Sequence, residues 1–536
     1  HACILCGLCV RVCHEAVWHK ALAFQGRGPE RKVTLPFGQQ TPVCVACGSC
    51  VSVCPTGAIQ FDKDPNHPVD ADRIRKAGAI LTREVVLLDK DQCRMREIGT
   101  AHLVEIMNDY DLLPVHNYKF GSHPEAHKID SRKIQASITQ GVNDGCGLGC
   151  EMACAKAVDG YAVRTGPDKG KKVIVDGPEY ETAAACGSNM GIFEPWAIVE
   201  LNYYCDHYGV DTIAFGTLMA FVMECWENGI LDKERTGGLD FTWGNALDSL
   251  ECLHQMARGE GFGVIAGQGV RGMKRIFAER GWGDPKFMQD IGMEAKGLEY
   301  SEYVTKESLA QQGGYGIALK GPQHDEAWLI FMDMVNKQIP TFEDKAEALH
   351  YFPMWRTWFG LNGLCKLLWN DVEPTDNGQS GAPAKVPAHV RGYCEFVAGM
   401  SGKEVKPDDL IFQSERVYNF QRIFNLKMGF GRREHDAIPY RSQGPVTKEE
   451  YESRAERYDK QLTEEVGVDI SGLSTEQKMA KLRSYREDRY QKLLDAVYKR
   501  RGWTPDGIPT LAHVRKLGID KVPGVVELLA RHGVTE

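Results

Sequence analysis

The sequence predicts a multidomain protein in which a small, cysteine-rich α+β head precedes a large, mostly α-helical body. Three observations predict this fold class. Eight of the 18 cysteines stand in two runs of four within the first 54 residues. Beyond residue 95, apolar side chains recur at the helical spacing, as in Phe420, Ile423 and Phe424. One stretch, Lys172–Asp176, alternates like a strand, and 536 residues are enough for several hydrophobic cores.

The composition excludes two classes of partner. The chain carries 64 Lys and Arg against 73 Asp and Glu, a net charge of −9, whereas a nucleic-acid binder needs a basic face. The most apolar run, residues 214–223, is interrupted by Gly216 and Thr217 and falls far short of the ~20 residues of a spanning helix. We therefore expect neither a nucleic-acid partner nor a membrane span.

Both cysteine runs in the head have the spacing C-x2-C-x2-C-x3-C. Three thiolates at this spacing wrap around one cube of iron and sulfide, while the fourth of each run ligates the other cluster; zinc ribbons fit two runs of four less well. Because such thiolates must stay reduced, we expect a cytoplasmic protein of an anaerobic cell. The spacing predicts two [4Fe-4S] clusters, one on Cys3, Cys6, Cys9 and Cys54, the other on Cys44, Cys47, Cys50 and Cys13.

The composition also predicts domain boundaries. We expect a head over residues 1–62, a linker over 63–94, a body domain over 95–290 and a C-terminal helical domain over 291–536. Residues 446–490 are dense in Glu, Lys and Arg, which predicts a solvated, largely helical insertion. Because the chain opens at His1, just ahead of the first cluster cysteine, we expect the native polypeptide to begin upstream.

A third group of cysteines, Cys146, Cys150 and Cys154, lies among glycines that permit a tight wrap. If a helix starts near Cys150, then Cys150 and Cys154 share one face. Three thiolates at this spacing predict another cluster, which needs a fourth ligand. The spacing alone leaves six candidates open: Cys186, Cys205, Cys225, Cys252, Cys365 and Cys394.

Two resemblances to known families follow from local segments. Residues 3–59, with Gly26-Arg27-Gly28 between the cysteine runs, resemble the two-cluster ferredoxin domain of complex I-type and hydrogenase-type electron-transfer subunits. A second set of segments follows in order along the body: 99–104, 113–117, 177–182, 206–212, 360–365, 422–429, 498–503 and 507–509. These segments resemble the aldehyde ferredoxin oxidoreductase family.

The second resemblance implies a metal cofactor. In that family a tungsten or, less often, molybdenum atom is held by the dithiolenes of two pterins, with one [4Fe-4S] cluster beside them. The resemblance also selects Cys365 as the fourth ligand of the cluster that Cys146, Cys150 and Cys154 begin. With the two head clusters, this implies three [4Fe-4S] clusters in the chain.

The pterin-binding motifs of the family match at specific positions. In the first motif the chain has Asp206, Gly209 and Asp211, followed by Thr212, and the carboxylates can accept paired hydrogen bonds from a pterin. A solvated acidic turn is the alternative interpretation of this segment. The second motif is represented by Gly363 and Leu364 ahead of Cys365, while Gly360 stands where the family has Asp.

The resemblance also implies two catalytic residues. Glu181 lies 25 residues ahead of Asp206, the offset at which the family carries a glutamate near the metal. A carboxyl group in a desolvated pocket can carry a proton near neutral pH. His324 resembles the histidine that donates a hydrogen bond to the substrate oxygen, although a lone histidine can equally be a structural core residue. Glu179 is the alternative to Glu181 if the register differs by two.

Three functional hypotheses follow. The first is oxidation of an aldehyde to a carboxylic acid, with electrons leaving through three clusters to ferredoxin or to further iron-sulfur or flavin subunits. The second is a low-potential aryl-CoA reductase of the benzoyl-CoA type. The third is a cofactor-free electron-transfer scaffold, because the β-rich domain with which the family begins is not found between residues 63 and 95.

Overall fold

A computed structural model describes residues 3–16, 20–35, 44, 49–56, 58–59, 69–92, 94–135, 152–367, 381–385, 387 and 389–535. The chain forms two compact units. The head unit comprises His1–Lys76 and Glu395–Glu404, and the body unit comprises Ala77–Cys394 and Val405–Glu536. The predicted fold class is confirmed, because a small α+β head precedes a largely helical body.

Short antiparallel pairs account for the strands in the described part of the chain. They are β1 (Ala23–Gln25) with β2 (Lys32–Thr34), β3 (Ala157–Ala162) with β4 (Lys172–Asp176), and β5 (Glu294–Ala295) with β6 (Leu298–Glu299). The first pair lies in the head unit and sets Phe24 opposite Val33. The strand predicted at Lys172–Asp176 is confirmed as β4, and the β3–β4 hairpin packs Val158 and Val175 against Val199.

Helices make up most of the rest. They are α1 (Leu8–Arg11), α2 (Ser49–Ser52), α3 (Ala71–Gln92), α4 (Met95–Ile98), α5 (Leu103–Asp109), α6 (Ser131–Gln135), α7 (Tyr180–Ala185), α8 (Pro195–Tyr208), α9 (Thr212–Glu227), α10 (Ala246–Arg258), α11 (Gly263–Ala266), α12 (Gly269–Glu279), α13 (Pro285–Ile291), α14 (Leu309–Ile317), α15 (Phe342–Leu361), α16 (Val390–Ser401), α17 (Pro407–Lys427), α18 (Lys448–Glu452), α19 (Ala455–Lys460), α20 (Thr475–Arg500), α21 (Leu511–Lys516) and α22 (Val525–Arg531).

In the body unit α14 and α15 pack against α20, and α15 also packs against α17. Trp355 and Trp358 of α15 are almost fully buried and contact Tyr393 of α16. Gly316 of α14 is required by a close approach, because a Cβ atom at this position would lie 1.8 Å from the Tyr490 hydroxyl of α20. A second contact, between α7 and α9, positions the functional residues described below.

The described helices include no single one that is long and apolar enough to cross a bilayer. The pair α8 and α9 reaches that apolar length only when taken together, and its two halves are bent by 118°.

Two expectations about organisation differ from the structure. The segment 63–94, expected to be a linker, contains α3, whose Arg73 binds Glu395 and Glu404 at 2.5 Å within the head unit. The body shows no division at residue 290, because both sides of that position belong to one compact unit. A charged segment without a clear apolar period can therefore still form a long helix when its ion-pair partners lie far away in the sequence.

The charged segment 446–490 is helical as predicted, through α18, α19 and the first half of α20. It is solvated only in part. Tyr451, Tyr458, Leu462 and Leu482 form a buried apolar cluster on its inner side. Because charged residues outnumber these apolar residues, the composition of the segment does not indicate that one of its faces is buried.

Candidate functional site

In the head unit, four cysteines line one small pocket: Cys3, Cys6, Cys9 and Cys54. They are the set that the sequence assigns to one cluster. The loop around the pocket turns through the left-handed region, with φ of 55° at Leu5 and 78° at Gly7. Such turns can direct backbone N–H groups into an anion-binding concavity.

The spacing of ligating side chains bears on what this pocket can hold. Among the described residues, no three Cys, His, Asp or Glu side chains converge closely enough to hold a single metal ion. A pocket lined by four cysteines offers the number of thiolates that a [4Fe-4S] cluster needs, and this ligand set stays a prediction.

Backbone N–H groups point at two head sulfurs. The Ala58 N–H donates to Cys54 Sγ at 3.2 Å, and the Ala21 N–H donates to Cys13 Sγ at 3.1 Å. The backbone N–H of Ile59 is the main cause that lowers the pKa of the Cys54 thiol to about 7. Hydrogen bonds of this kind stabilise thiolates and tune the reduction potential of a cluster.

The second head set is only partly described. Cys13 is buried, Cys44 is exposed, and Cys50 is half-buried in α2. Cys47 lies outside the described residues, so this ligand set stays a prediction.

The cysteines of the body differ strongly in burial. Cys146 and Cys150 lie outside the described residues, Cys154 is half-buried, and Cys365 is exposed just beyond the end of α15. Cys394, half-buried in α16, is the other open candidate that is not fully enclosed.

Four of the six candidates for the fourth ligand are fully buried, and burial raises the pKa of each thiol above its usual value: Cys186, Cys205, Cys225 and Cys252. For Cys252 the pKa reaches about 12. Burial alone does not choose the fourth ligand, because burial also raises the pKa of Cys9, a predicted ligand in the head.

The first pterin motif forms the sharp turn between α8 and α9. Gly209 has φ of 70° and ends α8, while Asp211 caps α9 by accepting the Ile213 N–H at 2.9 Å. Asp206, in the last turn of α8, accepts the Asn202 amide at 2.9 Å. Each motif residue thus has a structural role in the turn, which is what the alternative interpretation, a solvated acidic turn, predicts.

Both carboxylates of this turn keep binding capacity. Asp206 and Asp211 are exposed, and each uses one oxygen in the bonds above. The other oxygen of each makes no hydrogen bond within the described residues. Thr212 connects the turn to α7, because its hydroxyl lies 2.9 Å from that of Thr182.

The second motif follows the end of α15. Gly363 has φ of 66°, and the Leu364 N–H donates to the Phe359 carbonyl at 2.9 Å, which closes the helix. A Cβ atom at Gly360 would meet nothing within 4 Å. The missing carboxylate at this position is therefore not a consequence of steric exclusion.

Glu181 and His324 meet although 143 residues separate them. Glu181 Oε1 lies 2.8 Å from His324 Nδ1, and Glu181 Oε2 accepts the backbone N–H of Glu302 at 2.8 Å. The Ser301 hydroxyl lies 3.1 Å from the same His324 nitrogen. The His324 side chain is 31% exposed and that of Glu181 is 12% exposed, so the pair borders an accessible side of the body. A carboxylate and an imidazole in contact can pass a proton and orient an oxygen atom of a substrate.

Glu179, the alternative to Glu181, points elsewhere. It precedes α7 and accepts a hydrogen bond from the Thr100 hydroxyl. Burial raises the pKa of its carboxyl group. Of the two glutamates, only Glu181 contacts His324.

Glu302 is a functional candidate that the sequence reasoning missed. It is fully buried, and its Oε1 accepts the Thr217 hydroxyl at 2.7 Å and the Tyr118 hydroxyl at 3.0 Å. Burial, followed by the negative charge of Glu181, raises the pKa of Glu302 well above its usual value. In the sequence, the feature that could have marked Glu302 is its position between two aromatic residues, Tyr300 and Tyr303, but no motif spacing connects it to Glu181.

Tyr118 reaches Glu302 from an unusual loop. His116, Asn117 and Tyr118 all have positive φ, at 49°, 54° and 60°. Side chains other than glycine rarely adopt this region, and three in succession must be held by their surroundings. The Asn117 backbone N–H donates to the Asn189 carbonyl at 3.1 Å, and its side chain donates to Glu224 at 2.6 Å.

Two family models match the chain. One, described as aldehyde ferredoxin oxidoreductase, domains 2 and 3, covers residues 81–519, and one described as a 4Fe-4S dicluster domain covers residues 2–58. Fold and site thus define a helical oxidoreductase body joined to an iron-sulfur head. The chain belongs to the aldehyde ferredoxin oxidoreductase family.

Curated relatives are distant. The tungsten-containing aldehyde ferredoxin oxidoreductase of Pyrococcus furiosus is 27% identical over 428 residues, 78% of this chain and 60% of that protein. The aliphatic sulfonate oxidoreductase, WOR-like subunit, of the same organism is 27% identical over 350 residues, 62% of this chain and 49% of that protein. The chain therefore spans less than two thirds of the length of these relatives.

A solved structure has the same fold. The active site complex BamBC of benzoyl coenzyme A reductase, in complex with 1,5 dienoyl-CoA, aligns over 87% of this chain and 67% of its own with a TM-score of 0.56. At 16% sequence identity this similarity concerns the fold alone.

Proposed function

We propose that this chain is the catalytic part of a tungsten- or molybdenum-pterin oxidoreductase that converts an aldehyde and water into a carboxylic acid. The reaction releases two electrons and two protons. The observation that carries the proposal is the contact of Glu181 with His324, 2.8 Å apart at an accessible side of a body of this family. Oxidation of an aldehyde needs side chains that accept the released protons and redox groups that carry away the two electrons.

The residues present fit the cofactor. Asp206 and Asp211 each retain a carboxylate oxygen that can accept from a pterin, with Thr212 beside them. Gly363 and Leu364 would lie beside the second pterin. When bound, the metal centre supplies oxygen-atom transfer to the carbonyl carbon and takes up the two electrons.

Glu181 and His324 have distinct roles in the proposal. Glu181 takes up a proton that the reaction releases and that reaches its buried Oε1 through the imidazole 2.8 Å away. His324 turns Nδ1 toward Glu181 and Ser301, and its doubly protonated form can donate a hydrogen bond to the substrate oxygen from Nε2 while Nδ1–H faces the Glu181 carboxylate.

Electrons leave through three [4Fe-4S] clusters in this proposal. The cluster in the body is held by Cys146, Cys150, Cys154 and Cys365, and the other two lie in the head. The acceptor is ferredoxin or a further iron-sulfur or flavin subunit. A head carried on the same chain as the body supports an electron relay of this kind.

Metal analysis and turnover test the proposal together. We expect anaerobically purified full-length chain to contain about 12 iron atoms, three clusters of four, and one tungsten or molybdenum atom. It should reduce a viologen dye when given an aldehyde. Iron without tungsten or molybdenum would eliminate an enzyme of this class and leave the electron-transfer scaffold.

An aryl-CoA reductase is the second candidate, favoured by the fold shared with the benzoyl coenzyme A reductase complex. The same residues would then work in the reverse, reductive direction at low potential. A protein with full metal occupancy that ignores a panel of aldehydes but exchanges electrons with a cyclic dienoyl-CoA would establish the second function over the first.

A further inference from the structure

Glu302 lies against Glu181 at the site, and the cationic candidate beside them, His324, faces Glu181. The Glu302 N–H binds Glu181 Oε2, and the Glu302 side chain is fully enclosed while Glu181 is 12% exposed. In the described part of the chain, neither carboxyl forms an ion pair with a Lys or Arg. Within the described residues Glu302 has no cation that offsets its charge, and a fully buried carboxylate of this kind cannot be ionised at modest cost.

We propose that Glu302 is a positioning residue that is protonated in the resting site, so that it adds no second negative charge beside Glu181, and that ionisation of Glu302 sets the upper pH limit of turnover. This proposal deepens the proposed function and rests on it for the pH limit. Whether Glu302 is protonated can be measured without any substrate.

The contacts of Glu302 favour its neutral form. Glu302 is fully buried, accepts the neutral hydroxyls of Tyr118 and Thr217 on Oε1, and is also approached by the neutral side-chain amide of Asn189. Oε2 of Glu302 and Oε1 of Glu181 are both buried without a hydrogen bond of normal geometry within the described residues, but the Glu181 oxygen has an imidazole nitrogen 2.8 Å away. An ionised Glu302 Oε2 would be strongly destabilising, so Oε2 is the protonated oxygen.

The titratable groups that surround Glu302 agree with a protonated carboxyl group at this position. Glu181 and Tyr180 face it from α7, Thr217 from α9, Tyr118 from the loop before α6, and Asn189 and Cys186 from the turn after α7. Burial raises the pKa values of Tyr118, Tyr180 and Cys186, so all three are neutral at working pH. His324 reaches the pair only through Glu181 and Ser301.

Two effects raise the pKa of Glu302: burial first, then the charge of Glu181. Ionisation of Glu302 would place a second negative charge beside the Glu181 carboxyl group. Glutamine at position 302 mimics the protonated acid, because it has one accepting oxygen and one donating group, and it removes this ionisation.

Infrared spectroscopy tests the protonation state without any turnover. We expect wild-type protein at pH 7 to show the carbonyl stretch of a protonated carboxylic acid, and Glu302→Gln to lack that band. Tyr118→Phe should keep the band but move it to higher wavenumber, because one hydrogen bond to the carbonyl oxygen is lost. A spectrum of Glu302→Gln with the same acid bands as wild type would overturn the proposal, whatever the enzyme's substrate.

The pH profile of turnover tests the functional consequence. Glu302→Gln should keep its acid limb, lose less than the ~10²-fold expected of a missing acid or base, and move its alkaline limb upward by about one pH unit or more. If Glu302 were ionised in wild-type protein, the substitution would instead move the acid limb downward, and that result refutes the proposal. A fall in rate that is equal at every pH would mean a purely structural role and also refutes it.

Glu299→Gln is the matched control. Glu299 is another buried glutamate, in β6, and its Oε1 accepts the Val270 N–H at 2.9 Å. It has no hydrogen bond to Glu181 or His324. Both limbs of the pH profile should stay in place in this variant, and a shift equal to that of Glu302→Gln would show that any buried carboxyl produces the effect.

Discussion

Two glutamates at the start of α7 offer a sharp test of the proposed chemistry. Glu181→Gln keeps the volume of the side chain and can still accept the Glu302 N–H through its amide oxygen. It cannot take up a proton. Loss of a positioned acid or base lowers the rate by about 10²–10⁴, which corresponds to about 3–5 kcal/mol of barrier at 1.36 kcal/mol per tenfold. We expect a fall of this size in kcat with the metal and clusters retained.

Glu179→Gln is the control for this experiment, because it makes the same chemical change two residues away. Glu179 binds the Thr100 hydroxyl and makes no contact with His324, so its loss should affect stability rather than turnover. The assay is anaerobic viologen reduction by an aldehyde, with metal content and electron paramagnetic resonance recorded for each variant. Full activity in Glu181→Gln with a large loss in Glu179→Gln would refute the assignment, and loss of tungsten in Glu181→Gln would indicate a structural role.

Three further predictions follow from the cysteines and from one buried carboxylate. Cys365→Ser should remove the body cluster and leave the head clusters, while Cys394→Ser should leave all three, as counted by electron paramagnetic resonance; the reverse pattern would identify Cys394 as the ligand. Cys54→Ser should abolish or convert one head cluster and lower the iron content by up to about four atoms, and unchanged iron and spectra would exclude it as a ligand. Burial raises the pKa of Glu307, but Arg486 and two further arginines outweigh burial and lower this pKa from 4.5 to about 2. The shift corresponds to about 3 kcal/mol of stability, which is present above pH 4.5 and is lost as the pH falls toward 2. The unfolding free energy of Glu307→Gln, from urea titrations, should be lower by about that amount at pH 6 and should change less than that of wild type between pH 5 and pH 3.

The parts of the molecule that could be predicted from sequence are those whose physics is local. Cluster-type cysteine runs, the strand Lys172–Asp176 and the glycine-capped turn at Gly209 each depend on residues close together in the chain. The four cysteines that line one head pocket are a partial exception, because Cys54 joins Cys3, Cys6 and Cys9 across some 45 residues. The fixed spacing of two-cluster sites nevertheless predicted that contact.

The parts that could not be predicted depend on packing between distant segments. Glu302 has no motif of its own, and its role emerges only when α7 and α9 bring Glu181 and Thr217 to it. The weak apolar period of residues 63–94 predicts a linker, although this segment contains the helix Ala71–Gln92, whose Arg73 binds Glu395 and Glu404. Contacts over such separations leave no periodic trace in a single sequence.

The loop that aims Tyr118 at Glu302 explains why the body buries so much charge near the site. Arg441 is fully buried between Glu224 and Glu450 and also donates to the Asn117 carbonyl at 3.2 Å. Buried ion pairs of this kind add little stability compared with apolar packing, because desolvation offsets the attraction. Here they bind both the backbone and the side chain of Asn117, whose left-handed conformation would otherwise relax. The network therefore supports the loop that places the Tyr118 hydroxyl 3.0 Å from Glu302 Oε1.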